Sequence, residues 1–374
     1  MSRVCTFCVM DDSVTALRFD ESGRCECCID AERRRPHEWI VGAKGEQQLQ
    51  TLIAELKQAG RGRAYDAMIG LSGGIDSAYL AHVAVRRYGL RVLAVHVDGG
   101  WNSAAAVHNI ETMVRALDID LRTFVVEWQE MRDIQLAFLR SSVFNQDIPQ
   151  DHAFFSTLYR TAIEQRIGSF LSGVNFATEN IMPPKFGPSY LDTHHIKALH
   201  ARFGRERLLE FPLMSLQQFV WHSRVRKRLT VYRPLNFLPY DKEQARSQLQ
   251  AEYGWRDYGG KHDESRFTKF YQDIFLPRKY GFDKRRLHLS SLIVAGAMSR
   301  EVALSVLSTP VVEPLQARRE TRFIAKKLGV SEHELQALID APPIDHFDYP
   351  NREYVQRALQ RARDVLHSAR RLLS

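Results

Sequence analysis

The fold of this chain is set by the stretch Tyr65-Asp-Ala-Met-Ile-Gly-Leu71, Ser72-Gly-Gly-Ile-Asp-Ser77, Ala78-Tyr-Leu-Ala-His-Val-Ala-Val85. An apolar run enters a Gly-Gly turn and then a helix-compatible run, so unpaired N–H groups and the positive end of a helix dipole converge on one point. Gly73 and Gly74 allow the main chain to approach a phosphate, Ser72 and Ser77 add hydroxyl donors, and Asp76 is placed to hold Mg²⁺. The stretch therefore predicts a phosphate-binding turn. The structural alternative is a glycine turn in which Asp76 and Ser77 only cap the helix.

Strand-like and helix-like runs alternate after this turn. The strand-like runs cover residues 91–98, 121–126 and 169–174, and the helix-like runs cover residues 103–117, 128–140 and Asp151 to Arg166. This alternation predicts an α/β fold with a doubly wound parallel sheet, whose ligands bind at the carboxyl ends of the strands. The phosphate turn, Asp98, and Asn175 with Glu179 all follow predicted strands, so we expect them to meet at one edge of the sheet.

The five cysteines form a second signal, because all of them lie within the first 28 residues, as Cys5-x-x-Cys8 and Cys25-x-Cys27-Cys28. Two such pairs are typical of a tetrahedral structural Zn²⁺ site. Cys5, Cys8, Cys25 and Cys28 are the expected ligands, since each pair is then CxxC, and Cys27 is a bystander. A disulfide framework and an iron–sulfur cluster are the alternatives that spacing leaves open.

Composition and charge narrow the class of protein. A hydrophobic content of 44% and a charged content of 26% are ordinary for a globular protein, and neither a signal-peptide h-region nor a membrane-spanning run is visible, so we expect a soluble cytoplasmic protein. Residues 201–300 contain 20 Lys/Arg against 10 Asp/Glu, although the whole chain carries only +8. This segment indicates a polyanionic partner, namely ATP, a nucleotide-sugar or nucleic acid, unless it is only a solvated basic face.

Several segments together carry a resemblance to a known family. They are the paired CxxC motifs with Val9-Met10-Asp11, the 72–77 turn, Pro149-Gln-Asp-His152, Gly173-Val-Asn175, Tyr258-Gly-Gly-Lys-His262 and Lys284-Arg-Arg-Leu-His-Leu-Ser290. The chain resembles the N-acetyl sugar amidotransferases of bacterial surface-polysaccharide biosynthesis (LPS O-antigen and nonulosonic acid pathways), within the PP-loop ATP pyrophosphatase superfamily. The resemblance implies the adenine nucleotide alpha hydrolase-like fold, with an N-terminal zinc ribbon and a mostly helical C-terminal region.

Four parts of the chain are expected on this basis. They are a zinc-ribbon-like module (1–40), the PP-loop core (41–185), a basic region that binds substrate and completes the active site (186–300), and a helical C-terminal region (301–374). The resemblance also implies the reaction, in which ATP is split to AMP and pyrophosphate and an N-acetyl group of a sugar becomes an acetamidino group. It implies as well a HisH-like glutaminase, with a HisF-like ammonia-channelling subunit, as the source of ammonia.

The residues fit this chemistry in roles that can be assigned individually. A secondary amide is a poor electrophile with a poor leaving group, and transfer of AMP to its oxygen solves both problems. Asp76 and Glu179 are expected to hold Mg²⁺ near the departing pyrophosphate, while Asp98 binds adenosine and Asn175 contributes to the nucleotide site. Phosphate charge is neutralised by the cationic candidates Lys242, Lys261, Lys284 and Arg285. The candidate proton acceptors are His152 and His262.

Two other classes of protein remain open. A glutaminase needs a nucleophilic cysteine, either at an exposed N-terminus or in a catalytic triad. Residue 2 of this chain is Ser, and all five cysteines lie in the expected metal-binding region within the first 28 residues. We therefore expect a separate glutaminase. The same lack of cysteines after Cys28 weighs against a thiolating tRNA-modifying enzyme, and a non-thiolating one remains possible. A catalytically silent nucleotide-binding or scaffold subunit is the third hypothesis, although Ser72, Asp76 and Ser77 are all present.

Overall fold

The computed structural model describes residues 3–13, 17–183, 190–222, 229–260, 263–354 and 358. Within them, five strands form one parallel sheet in the order β3-β2-β1-β4-β5. The strands are β1 (Ala67–Gly70), β2 (Val92–Asp98), β3 (Asp120–Val125), β4 (Ser169–Leu171) and β5 (Thr230–Tyr232). The chain adds β2 and β3 on one side of β1 and then returns to add β4 on the other side. The gap between the ends of β1 and β4 is therefore the switch point, where open α/β sheets bind ligands.

Helices fill the connections between the strands and the C-terminal part of the chain. They are α1 (Glu26–Glu38), α2 (Ala43–Ala59), α3 (Ile75–His82), α4 (Ala104–Leu117), α5 (Trp128–Ser141), α6 (Ile148–Glu164), α7 (Phe176–Glu179), α8 (Thr193–Phe203), α9 (Leu216–Val220), α10 (Lys242–Tyr253), α11 (Arg266–Phe270), α12 (Leu276–Tyr280), α13 (Arg285–Ala295), α14 (Arg300–Leu307), α15 (Pro314–Leu328) and α16 (Glu332–Asp340). A π-helical turn, Val83–Arg87, extends α3, and a second one, Tyr271–Phe275, joins α11 to α12.

Both faces of the sheet are covered, which confirms the doubly wound fold class. Successive strand residues point to opposite faces, so the inner strands β1, β2 and β4 each contribute to two cores. Ala67 and Ile69 pack in the core that contains α2, α3, α4 and α10, whereas Met68 packs in the core that contains α5, α6 and α8. In β2, Ala94 belongs to the first core and Leu93 to the second. These strands are buried on both sides, as the nearly continuous apolar runs predict.

A third core joins the cysteine module to the C-terminal helices. It contains the five cysteines together with buried residues of α11 to α16, such as Phe270, Leu287 and Ile324. The expected helical C-terminal region is confirmed for the described residues, and Ser331 caps α16 by accepting a 3.0 Å hydrogen bond from the Glu334 N–H. The N- and C-terminal parts of the chain are therefore packed against each other, beside the sheet.

The structure differs from the sequence-based expectation at two elements. Helix α6 begins at Ile148 after Asp147, not after Asp151, because Pro149 fits the first helical turn, where its missing N–H is not needed. Strand β5 was not predicted, since it has three residues, Thr230–Tyr232, in a segment whose pattern is irregular. This strand lies outside the predicted 41–185 core, so the sheet also draws on the basic region.

Among the described residues, no helix combines the length and the hydropathy that a membrane span requires.

Candidate active site

The turn at residues 72–77 connects β1 to α3 and packs tightly on its neighbours. Gly73 has a φ of +83°, a conformation that side-chain-bearing residues rarely adopt, and a Cβ there would lie 2.5 Å from the Ala106 carbonyl oxygen. The backbone of the turn thus rests directly on the first residues of α4. Glycine is required at this position for both the conformation and the close approach.

Hydrogen bonds hold the turn in shape. Ser72 Oγ accepts from the Gly74 N–H at 3.2 Å, and Ser77 Oγ donates to the Gly74 carbonyl at 3.0 Å. The Ile75 N–H, in the first turn of α3, donates to the Tyr258 hydroxyl at 3.1 Å. Because these groups lie at a helix N-terminus, where N–H groups lack helical partners, the turn is suited to an anion.

Asp76 is held across the switch point by residues from two other segments. Its Oδ1 accepts a hydrogen bond from Tyr240 Oη at 2.6 Å and one from Asn175 Nδ2 at 3.2 Å. Gly173, two residues after β4, approaches so closely that a Cβ there would lie 3.1 Å from the Ser77 nitrogen. The turn after β1 and the segment after β4 thus form one unit.

A cavity of about 870 Å³ opens at this carboxyl edge of the sheet. Its volume is within the range of small-molecule sites. Of the residues predicted from the sequence, the wall contains Ser72, Gly74, Asp76, Ser77, Glu179, Lys242 and Lys284. Side chains that sequence analysis did not assign also line it, including Asp147, Asp151, Tyr258, Glu264, Tyr271 and Gln272.

Apart from Gly73, which belongs to the turn itself, three of the predicted nucleotide-site residues lie behind or away from this wall. Asn175 is buried and supports Asp76 from the start of α7, where its Oδ1 also accepts the Thr178 N–H at 3.0 Å. Asp98 does not line the cavity, and its Oδ1 accepts the Gly100 N–H at 2.7 Å, closing the turn after β2. Arg285 also points elsewhere, because Asp283 and the carbonyl of Thr309 engage its guanidinium. The structure therefore does not bring Asp98 or Arg285 to the site.

The structure contradicts the prediction that His152 is a proton acceptor in the reaction. It is fully buried on α6 outside the cavity wall, and both of its ring nitrogens are used by the backbone. Nε2 accepts the Met214 N–H at 3.2 Å, so Nδ1 carries the proton and donates to the Tyr190 carbonyl at 2.5 Å. Burial lowers the pKa of His152 to about 4. Its role is to connect helix α6 to two loops.

Lys261 and His262, the two remaining predicted catalytic residues, lie outside the described residues. Their neighbours are described: Tyr258 contacts the turn, and Glu264 lines the cavity.

The predicted metal ligands Cys5, Cys8, Cys25 and Cys28 are brought together. They are buried, and their Sγ atoms all lie within 4.8 Å of one another. Three of the separations are 3.9 Å for Cys5–Cys28, 3.7 Å for Cys8–Cys25 and 3.4 Å for Cys25–Cys28. All five cysteines are free thiols, and Cys27 is buried without belonging to the group.

This group fits a tetrahedral zinc ion. A Zn–S distance of about 2.3 Å requires sulfur atoms about 3.8 Å apart, close to the observed separations. Backbone N–H groups also point at the sulfurs, from Cys8 and Cys25 to Cys5 Sγ at 3.4 and 3.2 Å and from Met10 to Cys8 Sγ at 3.4 Å. Such donors stabilise the thiolate form that metal binding needs.

Arginines connect the cysteine module to the helices beside the cavity. Arg300 donates to the carbonyls of Cys5 and Cys8 at 3.0 and 3.1 Å, and Arg286 donates to the Val9 carbonyl at 2.6 Å. Helix α13 then packs on α7, where Asn180 Nδ2 donates to the Ser291 carbonyl at 2.8 Å. The cysteine module thus supports the segment that carries Asn175 and Glu179.

Sequence reasoning did not assign the tyrosines of the site. Burial and the Asp76 carboxylate raise the pKa of Tyr240 well above its usual range, and burial and Glu264 do the same for Tyr258. Both phenols therefore keep their protons. The Tyr258-Gly-Gly motif was part of the resemblance and was the available signal for Tyr258, whereas no motif pointed to Tyr240.

A comparison with family models gives one match in the C-terminal part. Residues 264–363 match the family described as "LPS biosynthesis protein WbpG-like, C-terminal domain". This match confirms, for that region, the predicted resemblance to surface-polysaccharide biosynthesis proteins. The matched region contributes part of the cavity wall, including Glu264, Tyr271, Gln272 and Lys284.

Two solved structures are similar to a larger share of the chain than the family model. One similar structure is NMN synthetase from Francisella tularensis, with 22% identity over 38% of this chain and 60% of that chain and a TM-score of 0.29. Another is the NH3-dependent NAD synthetase from Campylobacter jejuni subsp. jejuni NCTC 11168 in complex with the nitrate ion, with 18% identity over 36% of this chain and 58% of that chain and a TM-score of 0.28. The chain thus spans less than two-thirds of either structure. No curated protein matches it.

Proposed function

We propose that this chain is an ATP-dependent, AMP-forming carbon–nitrogen ligase that converts an N-acetyl group of a sugar into an acetamidino group. The observation that carries the proposal is the 72–77 turn at the switch point, with Asp76 held by Tyr240 and Asn175 beside a cavity of about 870 Å³. Such a turn binds phosphates without a Walker lysine, which fits cleavage of ATP to AMP and pyrophosphate.

Adenylation is the first half of the proposed reaction. The amide oxygen of the N-acetyl group attacks the α-phosphorus, and pyrophosphate leaves against the N–H groups of the turn. Asp76 and Glu179 are the carboxylates of the wall that would hold Mg²⁺, which shields phosphate charge when bound. Lys242 and Lys284 line the same cavity and supply positive charge, with Lys261 as a further candidate.

Ammonia for the second half is proposed to come from a partner glutaminase. All five cysteines lie within the first 28 residues, four of them in the metal-site group, and none lines the cavity. The chain therefore lacks a thiol that could attack glutamine at this site. A HisH-like glutaminase with a HisF-like channelling subunit remains the proposed partner, and His262 remains a proposed proton acceptor.

A sugar substrate is favoured by the family match. The matched region belongs to a family named for LPS biosynthesis and forms part of the cavity wall. Modification of tRNA is the competing function, because residues 201–300 carry 20 Lys/Arg against 10 Asp/Glu. The family match is the observation that ranks the sugar first.

The experiment that tests this proposal measures AMP release from Mg-ATP by the purified chain with ammonium present. N-acetylated nucleotide-sugars, nonulosonic acids and bulk tRNA are supplied separately, and Asp76→Asn serves as the inactive control. AMP formed with one sugar and abolished in the variant supports the ligase. AMP formed with tRNA alone contradicts it. If no substrate gives AMP, the assay is repeated with the glutaminase pair, and continued absence of AMP also contradicts the proposal.

A further inference from the structure

The two tyrosines at the phosphate turn use their hydroxyls in opposite ways. Tyr240 donates its proton to the Asp76 carboxylate, so that hydroxyl is already committed as a donor. Tyr258 instead accepts a hydrogen bond from the Ile75 N–H at 3.1 Å, and none of the described residues accepts the proton of its own hydroxyl. Because Tyr258 also lines the cavity, this proton is available to a ligand.

The Tyr258 oxygen lies at the point where the turn becomes helix α3. The first helical hydrogen bond here runs from the Ala78 N–H to the Gly74 carbonyl at 3.0 Å, so the N–H groups of residues 75–77 precede it. Such N–H groups bind anions, and Tyr258 occupies the one that belongs to Ile75. A Cβ on Gly74 would lie 3.3 Å from the Tyr258 oxygen. An anion at this turn therefore meets the phenol as well as the main chain.

A buried amide fixes the segment that carries Tyr258. Asn109, on α4, is fully buried, and its Oδ1 accepts the Arg256 N–H at 2.7 Å. Its Nδ2 donates to the Arg256 carbonyl at 2.9 Å and to the Gly73 carbonyl at 3.2 Å. The ring of Trp255 packs edge-on against that of Tyr258, with the ring centroids 5.4 Å apart. The phenol is therefore oriented at the turn before a ligand binds.

The acidic groups beside the phenol leave it as a neutral donor. Asp76 and Glu264 both line the cavity, and a Cβ on Gly74 would lie 3.2 Å from Glu264 Oε1. Ionised carboxylates accept hydrogen bonds but do not donate them. Burial and the charge of Glu264 raise the pKa of Tyr258 well above its usual range, so the phenol keeps its proton. Accepting the N–H also strengthens the hydroxyl as a donor, because linked hydrogen bonds polarise one another.

We propose that the Tyr258 hydroxyl donates a hydrogen bond to the pyrophosphate part of ATP and stabilises it as it leaves, an inference that rests on the proposed function. The bond from the amide oxygen to the α-phosphorus forms while the bond from the α-phosphorus to the bridging oxygen breaks. The electron pair stays on the bridging oxygen, which becomes part of pyrophosphate, and Tyr258 retains its proton. Negative charge thus increases on the group that the phenol contacts, so the hydrogen bond is stronger in the transition state than in bound ATP.

Separate binding of the two ATP-derived products distinguishes this role from a structural one. Mg-pyrophosphate and AMP are titrated individually into the full-length chain by calorimetry. Tyr258→Phe keeps the aromatic ring and removes only the hydroxyl. We expect it to weaken pyrophosphate binding about 10- to 100-fold, the effect of losing a hydrogen bond to a charged group. AMP lacks the phosphates that the phenol contacts, so its affinity should stay close to that of the wild type.

The rate of adenylation gives a second readout. Sugar-dependent exchange of labelled pyrophosphate into ATP should also fall about 10- to 100-fold in Tyr258→Phe. The matched control is Tyr65→Phe, which removes a phenol that donates to Asp120 at 2.8 Å outside the cavity wall. This control should bind pyrophosphate and catalyse exchange as the wild type does.

Each other outcome is decisive. Pyrophosphate affinity in Tyr258→Phe equal to that of the wild type would overturn the inference, and a higher affinity would show that the phenol only blocks the Ile75 N–H. Equal losses of pyrophosphate and AMP affinity would overturn it as well, because they indicate a general disturbance of the site. Wild-type protein that binds pyrophosphate but gives no sugar-dependent exchange, even with the glutaminase pair present, would instead refute the proposed function.

Discussion

The phenol of Tyr240 donates a 2.6 Å hydrogen bond to the carboxylate of Asp76. Tyr240 is 6% exposed, and burial together with the Asp76 charge raises its pKa well above the usual range, so it remains a donor. Asn175 donates to the same carboxylate oxygen. This pair fixes the orientation of Asp76 at the point where the turn after β1 meets the segment after β4.

Removal of the Tyr240 hydroxyl should impair the chemistry more than the fold. A hydrogen bond to a charged group contributes roughly 1.5–3 kcal/mol, so we expect Tyr240→Phe to lower AMP formation about 10- to 100-fold. The measurement is kcat for AMP release alongside the melting temperature. Tyr354→Phe, at an exposed tyrosine, is the control. An unchanged kcat in Tyr240→Phe would show that this bond does not orient a functional carboxylate.

Alanine substitutions at Gly62 and Gly73 distinguish the effect of left-handed backbone strain from the effect of displacing the phosphate turn. Both have positive φ, but a Cβ on Gly62 meets nothing within 4 Å, whereas a Cβ on Gly73 meets the backbone of Ala106. Gly62→Ala should cost only about 1–2 kcal/mol of left-handed strain. Gly73→Ala must also displace the turn from α4, so we expect it to weaken ATP binding at least about tenfold. Calorimetric titration with ATP checks this, and equal affinities of the two variants would contradict it.

The cysteine group should bind one zinc ion through four of the five thiols. We expect Cys28→Ser to lose the metal and Cys27→Ser to keep one equivalent, because Cys27 is outside the group. Elemental analysis and thermal unfolding measure both effects. Since Arg286 and Arg300 connect this module to α13 and α14, metal loss should also lower the melting temperature of the remaining chain. The same metal content in both variants would refute the assigned ligand set.

Buried histidines should make the fold sensitive to acid. Burial lowers the pKa of His152 and of His195 to about 4 in the folded chain, below the ordinary value of 6.5. Between pH 6.5 and 4 the unfolded chain therefore binds protons that these folded side chains do not. Stability is retained above this window and falls as the pH drops through it, by at most about 1.4 kcal/mol per pH unit for each histidine.

His152→Gln tests this dependence. The free energy of unfolding, measured by urea titration at several pH values, should fall less steeply below pH 6.5 in the variant than in the wild type. His37→Gln, at an exposed histidine, should keep the wild-type slope. The same slope in His152→Gln and the wild type would mean that His152 titrates normally. AMP release by folded His152→Gln should be close to that of the wild type, because the side chain does not reach the cavity.

The existence of strands β1 to β4 and of the phosphate turn was predictable because both are local patterns. Buried parallel strands leave continuous apolar runs, and the Gly-Gly turn leaves its signature directly after one of them. The grouping of the four cysteines was predictable for the same reason, since two CxxC pairs bring their sulfurs together through local turns. These features need no knowledge of which distant segments meet.

The remaining parts of the site depend on distant segments. Tyr240 and Tyr258 reach the turn from 164 and 183 residues away, and no periodicity encodes that contact. The assignment of His152 failed for a related reason, because a histidine near a helix start can face the interior as well as a cavity. Asp98 ends a strand, as expected, but the turn after β2 uses its carboxylate for the Gly100 N–H.

The central claim is best tested by the mass of the sugar product. The purified chain is incubated with Mg-ATP, isotopically labelled ammonium and the N-acetylated sugar that supports AMP release, and the sugar is analysed by mass spectrometry. The account predicts that one oxygen of the N-acetyl group is replaced by labelled NH, and that this oxygen is recovered in AMP. An unchanged sugar, or AMP formed without nitrogen in the sugar, would contradict the account.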